Sequence, residues 1–138
     1  MTGRRLKIII IEDEESIRET MKWHFEDLGH EVLAASVPNF CRELNPQECT
    51  ATKRCGDLLF IDQNLPGVTG LEFVRWLFHR GCQLSPGHIW IMTGDLTAAV
   101  QAEAALLGCN AVAKPLSLGE AEKLVLQVER GEAVGEGG

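Results

Sequence analysis

Carboxylates, a hydroxyl and an ammonium group stand at the ends of short apolar runs in this chain. Leu6–Ile11 leads into Glu12 and Asp13, Leu58–Ile61 into Asp62, Ile89–Met92 into Thr93, and Ala111–Ala113 into Lys114-Pro115. A carboxylate can attack phosphorus, clustered carboxylates can hold a divalent cation, and a lysine with a hydroxyl can bind phosphoryl oxygens. Each residue alone has an ordinary reading. A strand-end Asp is commonly a loop or cap residue, a strand-end Lys is commonly solvated, and Glu12–Glu15 serves equally well as an acidic helix start. Together, and in this order, they form a set suited to phosphoryl transfer.

Carboxylates converging on one point repel, and such a cluster persists only if a cation neutralises it or a pKa rises. An oxygen-only ligand set with room for water suits Mg²⁺. Asp62 is the candidate nucleophile, and it opens the segment Asp62-Gln63-Asn64-Leu65-Pro66-Gly67-Val68-Thr69-Gly70. Pro66 fixes φ, while Gly67 and Gly70 permit a tight backbone, which would shape this loop beside the carboxylate.

The apolar runs read as strands buried on both faces, as in a parallel sheet covered by helices. In such sheets ligands bind beyond the carboxyl ends of the strands. Helical patterns alternate with the runs. Ile17, Met21, Phe25 and Leu28 share helical spacing, with Ser16 as a candidate cap and Gly29 as the stop. Glu31–Ala35 reads as a second strand, followed by a short helix near Asn39–Leu44 behind Pro38 and a loop over Asn45–Gly56. Asp57–Ile61 is the third strand, Leu71–His79 a helix ended by Gly81, His88–Met92 the fourth strand, and Thr97–Leu107 a helix closed by Gly108. Asn110–Ala113 is the fifth strand, and Ser117 with Glu120 forms a capping box for a last helix running to about Arg130. Five strands alternating with five helices through right-handed crossovers make an α/β, doubly wound three-layer sandwich. Residues 1–130 read as one domain and 131–138 as a flexible tail.

At 138 residues, 45% of them hydrophobic, the chain is long enough to bury a core unaided. A formal charge of −7 argues against a nucleic-acid surface, which usually shows a basic patch. No run has the length of a membrane span, and Ile8–Ile11 leads straight into acid rather than into a signal-peptide core, so a cytoplasmic protein is expected. The five cysteines Cys41, Cys49, Cys55, Cys82 and Cys109 form no Cys-x-x-Cys pair and read as free thiols.

The acid pair Glu12 and Asp13, Asp62 with its loop, Thr93 and Lys114-Pro115 resemble the receiver domain of two-component response regulators, over about Lys7 to Arg130. The resemblance implies a flavodoxin-like sheet of strand order 2-1-3-4-5. It implies Asp62 as phosphoacceptor, charged by a histidine kinase or a histidine phosphotransfer protein. It also implies Mg²⁺ held by Glu12, Asp13, Asp62 and the backbone carbonyl of Asn64. Thr93 and Lys114 would bind the phosphoryl group, Asn64 and Asp95 would tune its lifetime, and the Lys114–Pro115 peptide is a candidate cis bond. The output would be a change of affinity for a downstream protein.

Where the family commonly places an aromatic switch residue, three positions before the lysine, this chain has Ala111, and no Phe, Trp, Tyr or His follows Trp90. A receiver-like interaction module that is never phosphorylated is therefore an alternative. A haloacid-dehalogenase-like phosphatase is a weaker one, since Asn64 replaces the second acid such enzymes use. The helix Leu71–His79 is unusually apolar; either it covers a wide core, or Trp76 and Phe78 form a patch for a partner or a second copy of the chain. The expected domain leaves no room for an effector after Arg130, which fits either a stand-alone receiver or a segment of a larger regulator.

Overall fold

The structure, a computed structural model, describes residues 5–36 and 55–131. The elements in chain order are β1 (Lys7–Ile11), α1 (Glu15–Asp27), β2 (Glu31–Ala35), β3 (Leu58–Asp62), β4 (Asn64–Leu65), β5 (Val68–Thr69) and α2 (Gly70–His79). A 3₁₀ turn (Pro86–His88), β6 (Ile89–Thr93), α3 (Ala98–Leu106), β7 (Asn110–Ala113) and α4 (Leu118–Glu129) follow. Five strands form one parallel sheet in the order β2-β1-β3-β6-β7. Counting only those strands, this is the 2-1-3-4-5 order. β4 and β5 pair with each other in a separate antiparallel hairpin.

The registers bring the polar strand ends to one edge. Ile11 pairs with Ile61, Asp62 with Met92, and Thr93 with Ala113, so the residues just past these positions emerge side by side. Alternation along the strands divides the core into two layers. Ile9, Ile11, Leu59, Ile61, Ile89 and Ile91 pack with Leu71, Val74 and Leu77 of α2 and Ala104 of α3. Ile8, Ile10, Leu58, Phe60, Trp90 and Met92 pack with Met21 and Phe25 of α1 and Ala121, Val125 and Val128 of α4. Phe25, Phe60 and Trp90 stack in sequence, with centroids 5.7 and 5.5 Å apart. Strands apolar on both faces thus lie between two helical layers, as their composition requires.

Helix ends follow local chemistry. Ser117 and Glu120 make the expected capping box at α4, and a second box joins Thr69 to Glu72 at α2. Gly29, Gly81 and Gly108, just past α1, α2 and α3, have φ of 98°, 84° and 79°, a region open to glycine without Cβ strain. Ser16 is not the cap of α1. The helix starts at Glu15 with Glu14 at the cap position, two residues before Ser16, and the Glu14 N–H is taken by Glu12 Oε2 at 3.1 Å.

Four α-helices are present among the described residues; the helix expected near 39–44, the loop to residue 54, Cys41 and Cys49 lie outside them, as do residues 132–138 of the expected tail. Cys55, Cys82 and Cys109 are free thiols. In α2, Trp76 and Phe78 are half-buried against the core, with the Arg80 guanidinium 4.7 Å from the Trp76 ring centroid. Among the described residues no helix is long and apolar enough to cross a membrane.

Candidate functional site

β1, β3, β6 and β7 deliver the site. Glu12 follows β1 directly, and its N–H donates to the Ala35 carbonyl at 3.0 Å, which extends the β1–β2 ladder by one residue. This fixes the Glu12 carboxylate inside the protein, with no exposed surface, while Asp13 is exposed. The Arg18 guanidinium donates to the Glu12 carbonyl at 2.9 Å from the first turns of α1. Asp62, the last residue of β3, is buried beside them. Glu12, Asp13 and Asp62 each present a carboxylate oxygen within 4.8 Å of the others.

Lys114 reaches this cluster from the far side. Its Nζ lies 3.1 Å from Glu12 Oε1 and 3.5 Å from Asp62 Oδ2. The backbone holds it there: the Lys114 N–H donates to the Thr93 carbonyl at 2.8 Å, and the following Lys114–Pro115 peptide is cis. Burial pushes the Glu12 carboxyl up to about 7; the Glu14 N–H and Lys114 oppose the rise and the Asp62 charge adds to it. Burial alone would lower the lysine, but Glu12 and Asp62 more than reverse that and hold it above its ordinary value. The cluster is thus a set of oxygen donors gathered around one ammonium group.

Thr93 is buried at the end of β6. Its Oγ1 accepts the Asp95 N–H at 3.1 Å and donates to the Asp95 carbonyl at 3.4 Å, so the hydroxyl is parked on the loop that opens α3. Asp95 itself is exposed, and so is Asn64. The Asn64 N–H donates to Asp62 Oδ1 at 3.2 Å, so the backbone two residues on steadies one carboxylate oxygen while Lys114 faces the other.

The loop after Asp62 is more ordered than a shaped turn. Asn64–Leu65 and Val68–Thr69 form a hairpin, Pro66-Gly67 is its tip, and Gly67 has φ of 82°, the combination a type II turn requires. Gly70 closes the base, its N–H donating to the Gln63 carbonyl at 3.0 Å. A Cβ on Gly70 would come 2.7 Å from the Asp62 carbonyl oxygen, so only glycine lets α2 start this close to the carboxylate-bearing residue. Ala111 is half-buried, packed against the core layer that also receives Val100, Leu107 and Trp76.

Gln63 and Arg18 are contacts that the sequence reading missed. Gln63 Oε1 accepts the Leu71 N–H at 3.0 Å. An amide next to Asp62 carries no signal by itself, and an arginine one turn into a helix reads as surface charge.

The model of the response regulator receiver domain family matches residues 8–126. The chain belongs to this family. Among curated proteins, the receiver domain is 34% identical over 74 residues to the phosphate regulon transcriptional regulatory protein PhoB of Rhizobium meliloti. That match takes in 54% of this chain and 30% of the relative, so the chain spans under a third of the relative's length. Among solved structures, it shares the fold of a CheY-like response regulator receiver domain from Methylobacillus flagellatus, with TM-score 0.69 and 24% identity, covering 91% of this chain and 100% of the other. A Francisella response regulator receiver domain matches with TM-score 0.71 and 18% identity over 93% of this chain and all of the other.

Proposed function

We propose that this receiver domain is the phosphoacceptor module of a cytoplasmic two-component phosphorelay, and that Asp62 carries the phosphoryl group. The observation that carries this reading is the position of Lys114 Nζ between Glu12 and Asp62, on the carboxylate cluster formed by Glu12, Asp13 and Asp62. An Asp62 oxygen attacks the phosphorus of a donor phosphohistidine on a histidine kinase or phosphotransfer protein. The new P–O bond forms as the P–N bond breaks, and the electron pair returns to an imidazole already protonated on its other nitrogen. Lys114 exchanges Asp62 for a phosphoryl oxygen, and Thr93 releases the Asp95 backbone to bind another.

The donor set fits Mg²⁺: it is all oxygen, it carries excess negative charge, and it has an exposed member in Asp13 where water can remain in the coordination sphere. Glu12, Asp13, Asp62 and the Asn64 carbonyl would hold the ion. When bound, Mg²⁺ neutralises the carboxylates and the incoming phosphoryl oxygens. Asn64 and Asp95, both exposed, would govern how water reaches the phosphoryl group.

The product changes the affinity for a downstream protein or for a second copy of the chain. The charge of −7 favours protein partners over nucleic acid for this domain. With Ala111 at the switch position, the movement of Thr93 reaches the surface without an inward-turning aromatic ring. The reading is tested by incubating the protein with Mg²⁺ and acetyl phosphate and measuring intact mass. One added phosphoryl group, absent in Asp62→Asn and absent without Mg²⁺, is the expected result. No added mass, together with no binding of beryllofluoride, would overturn it in favour of an interaction module that is not phosphorylated.

A further inference from the structure

Gln63 makes three hydrogen bonds, one to β6 and two to the start of α2. Its N–H donates to the Met92 carbonyl at 2.8 Å, tying the residue to β6. Its carbonyl accepts the Gly70 N–H at 3.0 Å, closing the base of the β4–β5 hairpin. Its side-chain Oε1 accepts the Leu71 N–H at 3.0 Å, in the first turn of α2. Any residue would supply the two backbone bonds. Only the third depends on side-chain type.

That third bond satisfies an N–H in the first turn of α2 that has no partner within the helix. Thr69 Oγ1 already serves the Glu72 N–H, so α2 is capped twice, once from the hairpin and once from Gln63, the residue that follows Asp62 at the end of β3. The start of α2 is also where Gly70 lies against the Asp62 carbonyl. The hairpin between these two anchors contains Asn64, whose N–H holds Asp62 Oδ1 at 3.2 Å.

We infer that Gln63 is a positioning residue: by latching the Leu71 N–H it holds the hairpin closed, and with it the Asn64 backbone against Asp62. This rests on the reading of Asp62 as phosphoacceptor and Asn64 as a Mg²⁺-binding backbone position. A cap that only stabilised α2 would change melting temperature alone. A latch also changes how well the pre-formed site takes a cation.

The test compares the full chain with Gln63→Met, which keeps side-chain length and removes the acceptor, and with Gln63→Glu, which keeps an acceptor. Three quantities are read: hydrogen exchange of the Leu71 amide, the Mg²⁺ dissociation constant by calorimetry with the metal alone, and the initial rate of labelling by acetyl phosphate. In Gln63→Met the Leu71 amide exchanges faster, Mg²⁺ binds about fivefold more weakly, as for the loss of one hydrogen bond, and labelling slows by a similar factor. Gln63→Glu keeps the Leu71 amide protected. Should the Met variant fold poorly, Gln63→Asn, with its acceptor one methylene short, makes the same comparison. Unchanged Mg²⁺ affinity with an exposed Leu71 amide overturns the latch and leaves a helix cap. A wild-type protein that binds Mg²⁺ but takes no phosphoryl group overturns the phosphoacceptor reading while the latch stands on the Mg²⁺ measurement.

Discussion

Gly70→Ala places a methyl carbon 2.7 Å from the Asp62 carbonyl oxygen and 3.3 Å from the Asp62 carbonyl carbon and Gln63 Cα. All of these neighbours are backbone, so no side chain can rotate aside. To regain an ordinary contact of 3.4 Å, either the first turn of α2 or the end of β3 must shift by about 0.7 Å. Gly70 stands at the first position of α2, so helix propensity favours alanine there by up to ~1 kcal/mol. Overpacking against rigid backbone costs about 1–3 kcal/mol. The net expectation is a loss of about 1–2 kcal/mol, a fall in melting temperature of roughly 3–10 °C for a domain of this size. The displacement lands on the residue that carries the nucleophile. A misplacement approaching 1 Å can cost ~100-fold in rate, so labelling by acetyl phosphate with Mg²⁺ falls by about tenfold or more. Gly94→Ala is the control: a Cβ there meets nothing within 4 Å, and its stability stays within about 0.5 kcal/mol of wild type. Thermal melts and initial labelling rates on the two variants decide the matter. A Gly70→Ala protein that melts and labels like Gly94→Ala refutes the argument from close approach.

Lys114→Met leaves the buried Glu12 and Asp62 carboxylates facing each other, so without Mg²⁺ the variant is less stable by about 2 kcal/mol, below the range for fully buried pairs because Lys114 keeps part of its side chain in water. Urea titration with and without Mg²⁺ reads this, and equal stability of variant and wild type in metal-free buffer counts against it. His30 is buried, its Nδ1 accepts the Leu6 N–H at 3.0 Å, and burial holds its pKa below 6.5 despite the charges of Glu129 and Asp57. The unfolded chain therefore binds a proton more readily than the native one, and stability falls as pH drops below 6.5. Urea midpoints at neutral and mildly acid pH should separate less in His30→Gln than in wild type; equal separation removes His30 as the cause. Ser117→Ala breaks the α4 capping box and lowers stability by about 1 kcal/mol in a melt, with labelling at Asp62 unchanged.

The central strands β1, β3 and β6 were legible because their runs are apolar on both faces and end in polar residues, a pattern that a covered parallel sheet makes useful, whereas the strand order came from the family resemblance. The capping box at Ser117 was legible for a local reason: both partners lie within four residues. The start of α1 was not, because Glu14 takes the cap position without a side-chain cap and its N–H is held by Glu12 Oε2, a bond that depends on Glu12 being folded inward. Trp76 shows the same limit: its cover includes Arg80 on the next turn, a stacking partner that hydropathy does not score. Trp23, 64% exposed, lies between the inward-facing Met21 and Phe25, on the opposite side of the helix. At the site, residue types announced Glu12, Asp62, Thr93 and Lys114. Gln63 stayed silent, since its role arises from the register of a hairpin base against a helix start.

Asp62 as the seat of the phosphoryl group is most directly tested by trapping the acyl phosphate. After labelling with acetyl phosphate and Mg²⁺, reduction with borohydride converts a phosphorylated aspartate to homoserine, and peptide mapping locates it. The account predicts homoserine at position 62 alone. Conversion at position 13, or at no position in a protein that binds beryllofluoride, would contradict it.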